Sequence, residues 1–236
     1  MKRECGNSRR DDPRISVVVP TLDEASLVQA CLSRLDSLRG AGHEVVLADG
    51  GSHDGTVACA AGLHDRLVCC SAGRARQMNA GARVARGDIL LFLHVDTILP
   101  VDAVCCILDG LAYPGAVWGR FDVCLSGRRS AFRMIEISMN LRSRLSGIAT
   151  GDQAIFCTRE AFMRVGGYPD IPLMEDLALS TRLRRLAAPA CLRARVTTSS
   201  RRWERAGVAA TVLMMWRLRL AYWLGADPER LARRYR

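Results

Sequence analysis

The sequence predicts an α/β fold in which a mostly parallel, doubly wound sheet carries helices on both faces. Short apolar runs alternate with helix-like segments from residue 15 to residue 93, which is the pattern of successive βαβ units. Acidic turns follow several of these runs, and carboxylates at the carboxyl ends of parallel strands lie where open α/β sheets bind ligands. A chain of 236 residues is long enough for one such domain.

Each element is predicted from its own stretch of sequence. The strands are short runs of β-branched or other apolar residues that end near proline, glycine or an acid, and the helices have apolar residues on one face. In chain order we predict strand 15–19, helix 24–38, strand 44–48, helix 56–61, strand 67–70, helix 74–86, strand 88–93, strand 117–125, helix 130–145, strand 153–157 and helix 175–186.

The chain divides into three predicted regions. Residues 1–13 are polar and charged and are expected to form a disordered leader. Residues 14–205 are expected to form the folded domain, and residues 206–236 a basic, apolar helical segment. No internal repeat or long linker separates them.

The most apolar stretch is 208–224, which would extend about 26 Å as a helix. Arg217 and Arg219 would each cost about 2.5–3.5 kcal/mol at the centre of a bilayer, so a spanning helix is disfavoured. The two arginines project about 200° apart, which predicts no single apolar stripe. Two alternatives remain, packing on the domain and contact with a membrane surface, and the aromatic residues of this stretch suit the second.

Charge is distributed unevenly along the chain, whose formal net charge is +10. Residues 1–181 carry 20 Lys and Arg against 21 Asp and Glu, a net of −1, whereas residues 182–236 carry 14 Arg against 3 acids, a net of +11. A basic surface attracts anionic lipids, phosphate-bearing substrates and nucleic acids alike. We expect an anionic membrane surface as a partner and no nucleic acid.

The ten cysteines do not form a metal-binding or redox pattern. No C-x-x-C spacing occurs, and two adjacent pairs lie in apolar segments, so we expect reduced thiols in the core. The first 14 residues contain no apolar signal-peptide core. The protein is therefore predicted to be cytoplasmic, with peripheral attachment to the inner face of the cell membrane as an extension of that prediction.

A glycine-rich acidic turn follows the second predicted strand, with the sequence Asp-Gly-Gly-Ser-His-Asp-Gly-Thr at 49–56. Glycines such as Gly51 let the backbone approach a ligand closely, and the carboxylates of Asp49 and Asp54 can accept hydrogen bonds from a base or a ribose. The alternative is a turn in which Asp54 caps the next helix. Dinucleotide-binding and P-loop glycine patterns do not occur in the sequence.

His94 and Asp96 follow the fourth predicted strand, and side chains two residues apart share one side of an extended segment. A carboxylate there can hold Mg²⁺ or Mn²⁺, which usually bind one or two carboxylates together with substrate phosphates. Imidazole suits Mn²⁺ better than Mg²⁺. The alternative is an acid that merely ends the strand in a turn before Pro100.

Three further groups have both a functional and a structural interpretation. The Glu175-Asp176 pair opens a predicted helix, where acids stabilise the N-terminus, or it supplies a general base. The segment 151–153 (Gly-Asp-Gln) either faces a substrate or closes a turn. Arg76 follows Gly73 at the start of a helix, which suits either phosphate binding or a solvated basic face.

Taken in order, these motifs resemble those of the family-2 glycosyltransferases, which have the GT-A fold. The resemblance covers residues 14–205 and is greatest for a bacterial subgroup with Gly-Arg-Ala-x-Gln-Met-Asn and Met-Glu-Asp-x-x-Leu-Ser-x-Arg-Leu-Arg. The matching pieces are Val-Val-Val-Pro-Thr-Leu-Asp-Glu at 17–24, Asp-Gly-Gly-Ser-x-Asp-Gly-Thr at 49–56, Arg-x-x-Asn-x-Gly at 76–81, x-x-Asp at 94–96, Gly-Asp-Gln at 151–153 and Glu-Asp at 175–176.

The resemblance implies a nucleotide-sugar site, a divalent metal at Asp96 and an inverting mechanism with Asp176 as the catalytic base. His94 is expected beside the metal. The residues expected to bind the nucleotide sugar are Pro20, Thr21, Glu24, Asp49, Gly51, Asp54, Arg76, Asn79 and Asp96. Those expected on the acceptor side are Gly151, Asp152, Gln153, Glu175, Arg202 and Trp203.

Two positions depart from the family pattern. The usual Asp-x-Asp is His94-x-Asp96 here, so the metal preference of the family does not carry over directly. The Gln-x-x-Arg-Trp of processive polymerases is reduced to Ser199-x-x-Arg202-Trp203, which weakens a prediction of polymer synthesis.

The sequence thus predicts a glycosyltransferase that uses a nucleotide-diphosphate sugar, with Mg²⁺ or Mn²⁺, and a hydroxyl or carboxyl acceptor that is a lipid if the basic C-terminus meets a membrane. Two alternatives stay open. A nucleotidyltransferase should carry a basic glycine-rich loop near the first strand, where residues 20–24 are acidic instead. A non-catalytic nucleotide-sugar-binding or membrane adaptor protein is favoured by the missing carboxylate at position 94.

Overall fold

The computed structural model describes residues 13–235, with the side chains of five C-terminal residues, Arg202, Arg205, Ala206, Ala209 and Tyr235, left out. The expected leader therefore lies, apart from Pro13, outside the described residues. The strands are β1 (Ile15–Thr21), β2 (Glu44–Asp49), β3 (Arg66–Cys69), β4 (Ile89–Phe92), β5 (Thr97–Ile98), β6 (Trp118–Leu125), β7 (Phe156–Thr158) and β8 (Ala190–Thr198). The helices are α1 (Ala25–Ser33), α2 (Asp36–Gly40), α3 (Thr56–Cys59), α4 (Arg74–Val84), α5 (Ala103–Leu111), α6 (Ser130–Ser146), α7 (Arg159–Arg164), α8 (Glu175–Arg184), α9 (Arg201–Ala206), α10 (Val208–Trp223) and α11 (Pro228–Tyr235), with a 3₁₀ helix at Gly151–Gln153.

The strands form one sheet in the order β3-β2-β1-β4-β7-β6-β8-β5. β3, β2, β1 and β4 are parallel to one another, and so are β6 and β8. β7 runs antiparallel to both of its neighbours, and β5 runs antiparallel to β8. The predicted class, a mostly parallel α/β sheet with helices on both faces, is confirmed.

The core lies on both faces of the sheet, which explains the unbroken apolar runs of the central strands. In β1, Val17 and Val19 pack in a cluster with residues of α1 and α5. Val18 points the other way and packs with residues of α4, α7 and α8. Alternate residues of one strand thus serve two separate clusters, as the pleat requires.

Several elements differ from the sequence-based prediction. The helix predicted at 24–38 is two helices, α1 and α2, and the strand predicted at 153–157 begins only at Phe156 because the preceding residues form the 3₁₀ helix. β5, α5, α7 and β8 were not predicted. β8 has alternating exposed arginines, Arg193 and Arg195, so its sequence lacks the continuous apolar run of the central strands.

The C-terminal helices pack against the domain. Leu218 of α10 is buried with Leu173, Met174 and Leu231, the last from α11. Among the described residues, no helix combines the length and apolar character needed to cross a bilayer. As predicted, α10 has no clean amphipathic stripe, because Arg217 is exposed among the apolar residues Leu213, Trp216, Leu220 and Trp223, while Arg219 is half-buried.

The cysteines follow the expectation of core thiols only in part. Cys31 and Cys157 are free and buried, whereas Cys59 and Cys69 are free but exposed. Cys105 is disulfide-bonded, which corrects the expectation at that position. Burial raises the pKa of the Cys31 thiol to about 12, so that thiol is unreactive in the folded state.

Candidate active site

The carboxyl ends of β1, β2 and β4 meet at one edge of the sheet. Thr21 lies directly opposite Asp49 in the parallel register of β1 and β2, and Pro20 lies opposite Ala48. The chain leaves β4 at the same edge, where Leu93 N–H donates to the carbonyl of Val18. The residues predicted to contact the nucleotide therefore surround the edge where open α/β sheets bind ligands.

Asp49 is the residue around which the glycine-rich loop is built. Its side chain is buried, with 2% of the residue exposed. One carboxylate oxygen accepts the N–H groups of Gly51 (2.8 Å) and Ser52 (2.9 Å), and the other accepts the Ser52 hydroxyl (2.5 Å). Burial opposes ionisation, but these hydrogen bonds outweigh it and hold the pKa of Asp49 below its ordinary value. Asp49 thus fixes the backbone of the glycine-rich loop.

Asp54 joins the start of two helices. Its carboxylate accepts the N–H of Thr56, at the start of α3, and the N–H of Ala25, the first residue of α1, both at 3.0 Å. A hydrogen bond from the Thr56 hydroxyl is the main cause that lowers the pKa of Asp54. The structure therefore gives Asp54 the capping role that was the alternative interpretation of its sequence.

Glu24, Asp96 and His94 lie on the side of the edge predicted to hold a metal. Burial, and then the charge of Asp96, raises the pKa of Glu24. His94 Nδ1 lies 3.7 Å from an oxygen of Asp152. Within residues 13–235, no three His, Cys, Asp or Glu side chains are grouped so as to hold a metal ion by themselves. The chain turns between His94 and Thr97, whose N–H donates to the carbonyl of His94, so the extended segment predicted there is not formed. The carboxylate of Asp96 alone is an incomplete ligand set, which fits an Mg²⁺ or Mn²⁺ ion that also binds diphosphate oxygens.

Asp176 is held in place by the backbone of the 3₁₀ helix. The N–H of Gly151 donates to one oxygen of the Asp176 carboxylate at 2.6 Å, and the N–H of Leu177 donates to the other at 2.8 Å. The His94 ring lies against Gly151 so closely that a Cβ there would be 2.5 Å from His94 Cε1. Gly151 thus connects the predicted metal side to the predicted base. Gln153 is buried in the same 3₁₀ helix, and its Oε1 accepts the N–H of Thr150 at 3.2 Å.

Glu175 is buried behind Asp176, with 4% of the residue exposed. Burial, followed by the charge of Asp176, raises the pKa of Glu175, while Arg74 opposes this. Nη1 of Arg74 lies 3.7 Å from the Glu175 carboxylate. Glu175 is therefore a buried carboxylate whose ion-pair partner is Arg74, at the start of α4.

Arg76 and Asn79 both contact the segment that precedes α8. Arg76 Nε lies 2.8 and 2.9 Å from the two carboxylate oxygens of Asp170. Asn79 donates to the carbonyl of Tyr168 at 2.8 Å and accepts its N–H at 3.0 Å. In the structure these two side chains hold the segment 168–170 in place.

Trp203 is half-buried in a cluster with Leu125, Phe132 and Ile135, so its ring packs between α6 and β6. The side chain of Arg202, the other residue of that motif expected on the acceptor side, lies outside the described part of the chain.

Comparison with known proteins identifies the family. The model described as glycosyl transferase family 2 matches residues 16–170, which is more than half of the chain. The chain belongs to this family. A sequence comparison with curated proteins gives no match.

Solved structures similar to this family-2 chain confirm the GT-A fold. A mannosyltransferase of Pyrobaculum calidifontis, solved with GDP-Man and Mn²⁺, is 22% identical, with a TM-score of 0.64 over 92% of this chain and 64% of that one. Glucosyl-3-phosphoglycerate synthase of Mycobacterium tuberculosis, solved with Mn²⁺, UDP and glucosyl-3-phosphoglycerate, is 19% identical, with a TM-score of 0.58 over 79% and 71%. Mannosyl-3-phosphoglycerate synthase of Rubrobacter xylanophilus is 18% identical, with a TM-score of 0.55 over 90% and 76%. The chain thus spans less than two thirds of the length of the mannosyltransferase.

Gln77 is a residue of the site that the sequence reasoning missed. Its Nε2 donates to the carbonyls of Thr21 (2.6 Å) and Ala48 (3.3 Å) and so ties the ends of β1 and β2 together. A Cβ at Gly50 would lie 3.0 Å from the Gln77 side chain. The signal was available, because Gln77 is a polar residue on the buried side of α4 and is quoted in the subgroup motif.

Proposed function

We propose that this family-2 member transfers a sugar from a nucleotide-diphosphate donor to a hydroxyl or carboxyl acceptor with inversion at the sugar carbon. The observation that supports this best is the placement of Asp176. Its carboxylate is fixed by the Gly151 N–H at 2.6 Å, and the other side of Gly151 touches His94. A candidate base and a candidate metal side therefore adjoin one another, as the transfer requires.

Asp96, with His94 beside it, would hold Mg²⁺ or Mn²⁺ together with the donor diphosphate. When bound, such an ion supplies positive charge that stabilises the departing diphosphate. The solved structures with GDP-Man and Mn²⁺, and with UDP and Mn²⁺, support this assignment for the family fold. The loop fixed by Asp49, with Pro20, Thr21 and Gly51 around it, is proposed to face the nucleotide.

The residues of the chain then act on the acceptor. Asp176 takes the proton of the acceptor hydroxyl as its oxygen forms a bond to the anomeric carbon. The bond from that carbon to the diphosphate oxygen breaks, and its electron pair leaves with the nucleoside diphosphate. One displacement from the opposite face inverts the stereocentre, and no sugar–enzyme bond is formed. An acceptor that is already a carboxylate needs no proton removed, and Asp176 would then only position it.

The two alternatives predict different products. A nucleotidyltransferase would release pyrophosphate from a nucleoside triphosphate, and a binding or adaptor protein would release nothing. Membership in the glycosyltransferase family favours the transferase, and the acidic segment 20–24 argues against the nucleotidyltransferase.

Asp176→Asn is the substitution that tests the proposed base. We expect release of nucleoside diphosphate from UDP-, GDP- or dTDP-sugars with Mn²⁺ to fall about 10²–10⁴-fold, because the amide accepts no proton. Donor binding, measured by saturation-transfer NMR, should stay near that of the wild type. The matched control is Asp36→Asn, an exposed carboxylate paired only with surface Arg39 and expected to be silent. Wild-type turnover by the Asp176 variant would remove Asp176 from this role.

A membrane-borne acceptor is supported by exposed apolar residues on the two helices beside the acceptor side. α6 exposes Met134, Ile137, Leu141 and Leu145, and α10 exposes Leu213, Trp216, Leu220 and Trp223. We call these residues the apolar stripes. Exposed arginines flank them, at Arg128, Arg129 and Arg133 near the start of α6, Arg217 on α10, and Arg233 and Arg234 on α11. Apolar and aromatic residues bordered by cations suit the surface of an anionic bilayer.

A further inference from the structure

Two arginines from different helices reach the surroundings of Asp176 without finding partners there. Arg142 of α6 donates from Nη1 to the carbonyl of Ile148 at 3.3 Å, while its Nε and Nη2 are buried and have no hydrogen-bond partner. Nε of Arg219, on α10, is buried and unpartnered in the same way. Among the described residues, no carboxylate lies within ion-pair distance of either guanidinium, since the nine ion pairs found there involve neither.

Contacts of the two helices place both arginines near Asp176, because Arg142 binds the carbonyl of Ile148, three residues before Gly151, and Leu218, next to Arg219, packs with Met174. Burial, and then the charge of Arg219, lowers the pKa of Arg142 to about 10. Burial also lowers the pKa of Arg219, whereas Asp176 and Asp152 act in the opposite direction. Buried N–H groups of a cation that lack acceptors are costly, and folded proteins leave few of them. The guanidinium groups of Arg142 and Arg219 therefore lack some of their hydrogen-bond acceptors.

The nearby acids do not supply the missing hydrogen-bond acceptors. The two oxygens of Asp176 already accept the N–H groups of Gly151 and Leu177. Asp122, close to a third arginine in this region, is bound by Arg120 and by Arg144, the latter at 2.7 Å. Within residues 13–235, no hydrogen bond or ion pair joins Arg142 or Arg219 to Asp176 or Asp122.

We infer that Arg142 and Arg219 form a subsite that binds a phosphate or carboxylate group of the acceptor, beside Asp176. This inference rests on the proposed function for its assignment to the acceptor. The planar guanidinium group matches phosphate and carboxylate oxygens and binds them with paired hydrogen bonds. Both residues are half-buried, so part of each side chain is accessible from solvent.

Arg219 lies in a part of the chain that the family model does not match. The family model ends at residue 170, and Arg219 lies beyond it, on a helix that packs on the domain through Leu218. Arg219 therefore belongs, like Asp176, to the part of the chain that the family model does not match. A phosphate could belong to a soluble molecule or to a lipid headgroup, and the apolar stripes of α6 and α10 favour neither source by themselves.

Inorganic phosphate is the first probe, used with the full chain. We expect it to raise the Tm of the wild type above the value in sodium chloride of equal ionic strength, because a ligand that binds only the folded state stabilises it. Arg219→Gln and Arg142→Gln should each weaken the apparent phosphate affinity at least tenfold. Arg83→Gln, an exposed arginine on α4 with no assigned role, is the matched control and should leave the affinity unchanged.

Three results separate this subsite from other roles of the arginines. Without phosphate, Arg219→Gln should keep or raise the Tm, because it removes an unpaired buried charge, and a loss of Tm would indicate a structural role instead. Binding of UDP or GDP with Mn²⁺ should be unchanged in Arg219→Gln. An equal loss of nucleotide and phosphate binding would assign the arginines to the donor diphosphate and overturn the inference. If Arg142→Gln does not fold, the phosphate affinity of Arg219→Gln alone tests the inference.

A second pair of probes distinguishes the two sources. Ethyl phosphate in solution represents a soluble acceptor, and phosphatidic acid in phosphatidylcholine vesicles represents a lipid headgroup. Arg219-dependent binding of either one supports the inference and names the source. Responses of Arg219→Gln identical to those of Arg83→Gln with every probe would overturn it. Phosphate binding is measured without a donor, so it remains readable even if the chain proves to transfer no sugar.

Discussion

Gly151 is the residue at which the predicted metal side and the predicted base meet. Its N–H binds Asp176, and its Cα faces the ring of His94, where a Cβ would lie 2.5 Å from Cε1. Its φ is not positive, so a substitution there adds steric crowding without backbone strain. A change of one methyl group at this position therefore tests whether the two halves of the site depend on one another.

Gly151→Ala should reduce sugar transfer at least tenfold and lower the free energy of unfolding by about 1–3 kcal/mol, since the new methyl must displace His94 or the 3₁₀ helix. Steady-state kinetics and urea unfolding measure the two effects. Gly40→Ala is the control, because nothing lies within 4 Å of a Cβ at that position. Full activity with unchanged stability in Gly151→Ala would show that His94 and Asp176 work independently.

Glu175 should give the folded protein a characteristic dependence on pH. Burial and the charge of Asp176 raise the pKa of Glu175 above its ordinary value of 4.5, so the folded state binds this proton more tightly than the unfolded state does. Stability attributable to this group is thus present below pH 4.5 and is lost as pH rises through the folded pKa. Urea titrations at pH 7 and at pH 4 give the free energy of unfolding of Glu175→Gln and of the wild type. The difference between the two proteins should favour the variant more at pH 7 than at pH 4. A gain at pH 4 instead would mean that the ion pair with Arg74 dominates.

At the scale of single residues, the sequence was sufficient to locate the acids but not to assign their partners. Asp49 and Asp54 lie in the predicted turn, yet their hydrogen bonds go to Ser52, Thr56 and Ala25, which only the folded loop brings close. The buried arginines of α6 and α10 could not be recognised at all, because nothing in a local pattern shows that two distant helices place them around Asp176.

The contact of α4 with β1 shows how closely two elements approach beneath the site. Gly81 lies in α4, and a Cβ there would meet Val18 Cγ1 at a distance too short for any carbon–carbon contact. Val18 lies on a central strand with β2 and β4 on either side, so it cannot move away. The small residue allows the helix to lie on the sheet at the depth that lets Gln77 reach the carbonyl of Thr21.

Gly81→Ala should therefore destabilise the protein, although alanine is the better helix former. The gain in helix propensity is about 1 kcal/mol and the overpacking costs about 1–3 kcal/mol, so a net loss of up to about 2 kcal/mol is expected in urea unfolding. In a Val18→Ala background the same substitution should be neutral or stabilising, because the methyl that it meets is gone. Stabilisation of the protein by Gly81→Ala alone would contradict this packing argument.

At the scale of elements, prediction worked where a strand is buried on both faces and failed where it is not. β1, β2 and β4 are continuous apolar runs, and their predicted limits lie within two residues of the observed ones. β8 alternates exposed arginines with half-buried residues, and its place beside β6 depends on a pairing across more than 60 residues of chain. The antiparallel β7 was predicted as a strand, but its direction follows from the surrounding fold and is not visible in its three residues.

At the scale of the whole molecule, different parts of the chain supply the predicted donor side and the predicted acceptor side of the candidate site. β1, β2 and β4 bring the predicted donor residues to one edge, while α6, the 3₁₀ helix, α8 and α10 surround Asp176. The family model covers the first part together with α6 and the 3₁₀ helix, and it ends at residue 170. What lies beyond it carries the excess positive charge and exposes apolar side chains, so this region is where acceptor choice is expected to reside.

The apolar stripes should bind the protein to anionic vesicles. Trp216 and Trp223 are 68% and 85% exposed, and replacing both with serine removes large interfacial side chains without disturbing the buried Leu218. We expect flotation with phosphatidylglycerol-containing vesicles to fall at least tenfold. The control pair is Val101→Ser with Tyr113→Ser, exposed apolar residues outside both helices, which should float like the wild type. High salt should weaken binding of the wild type, since the flanking arginines act through screened charges. Equal flotation of the tryptophan and control pairs would exclude the stripes as a membrane-binding surface.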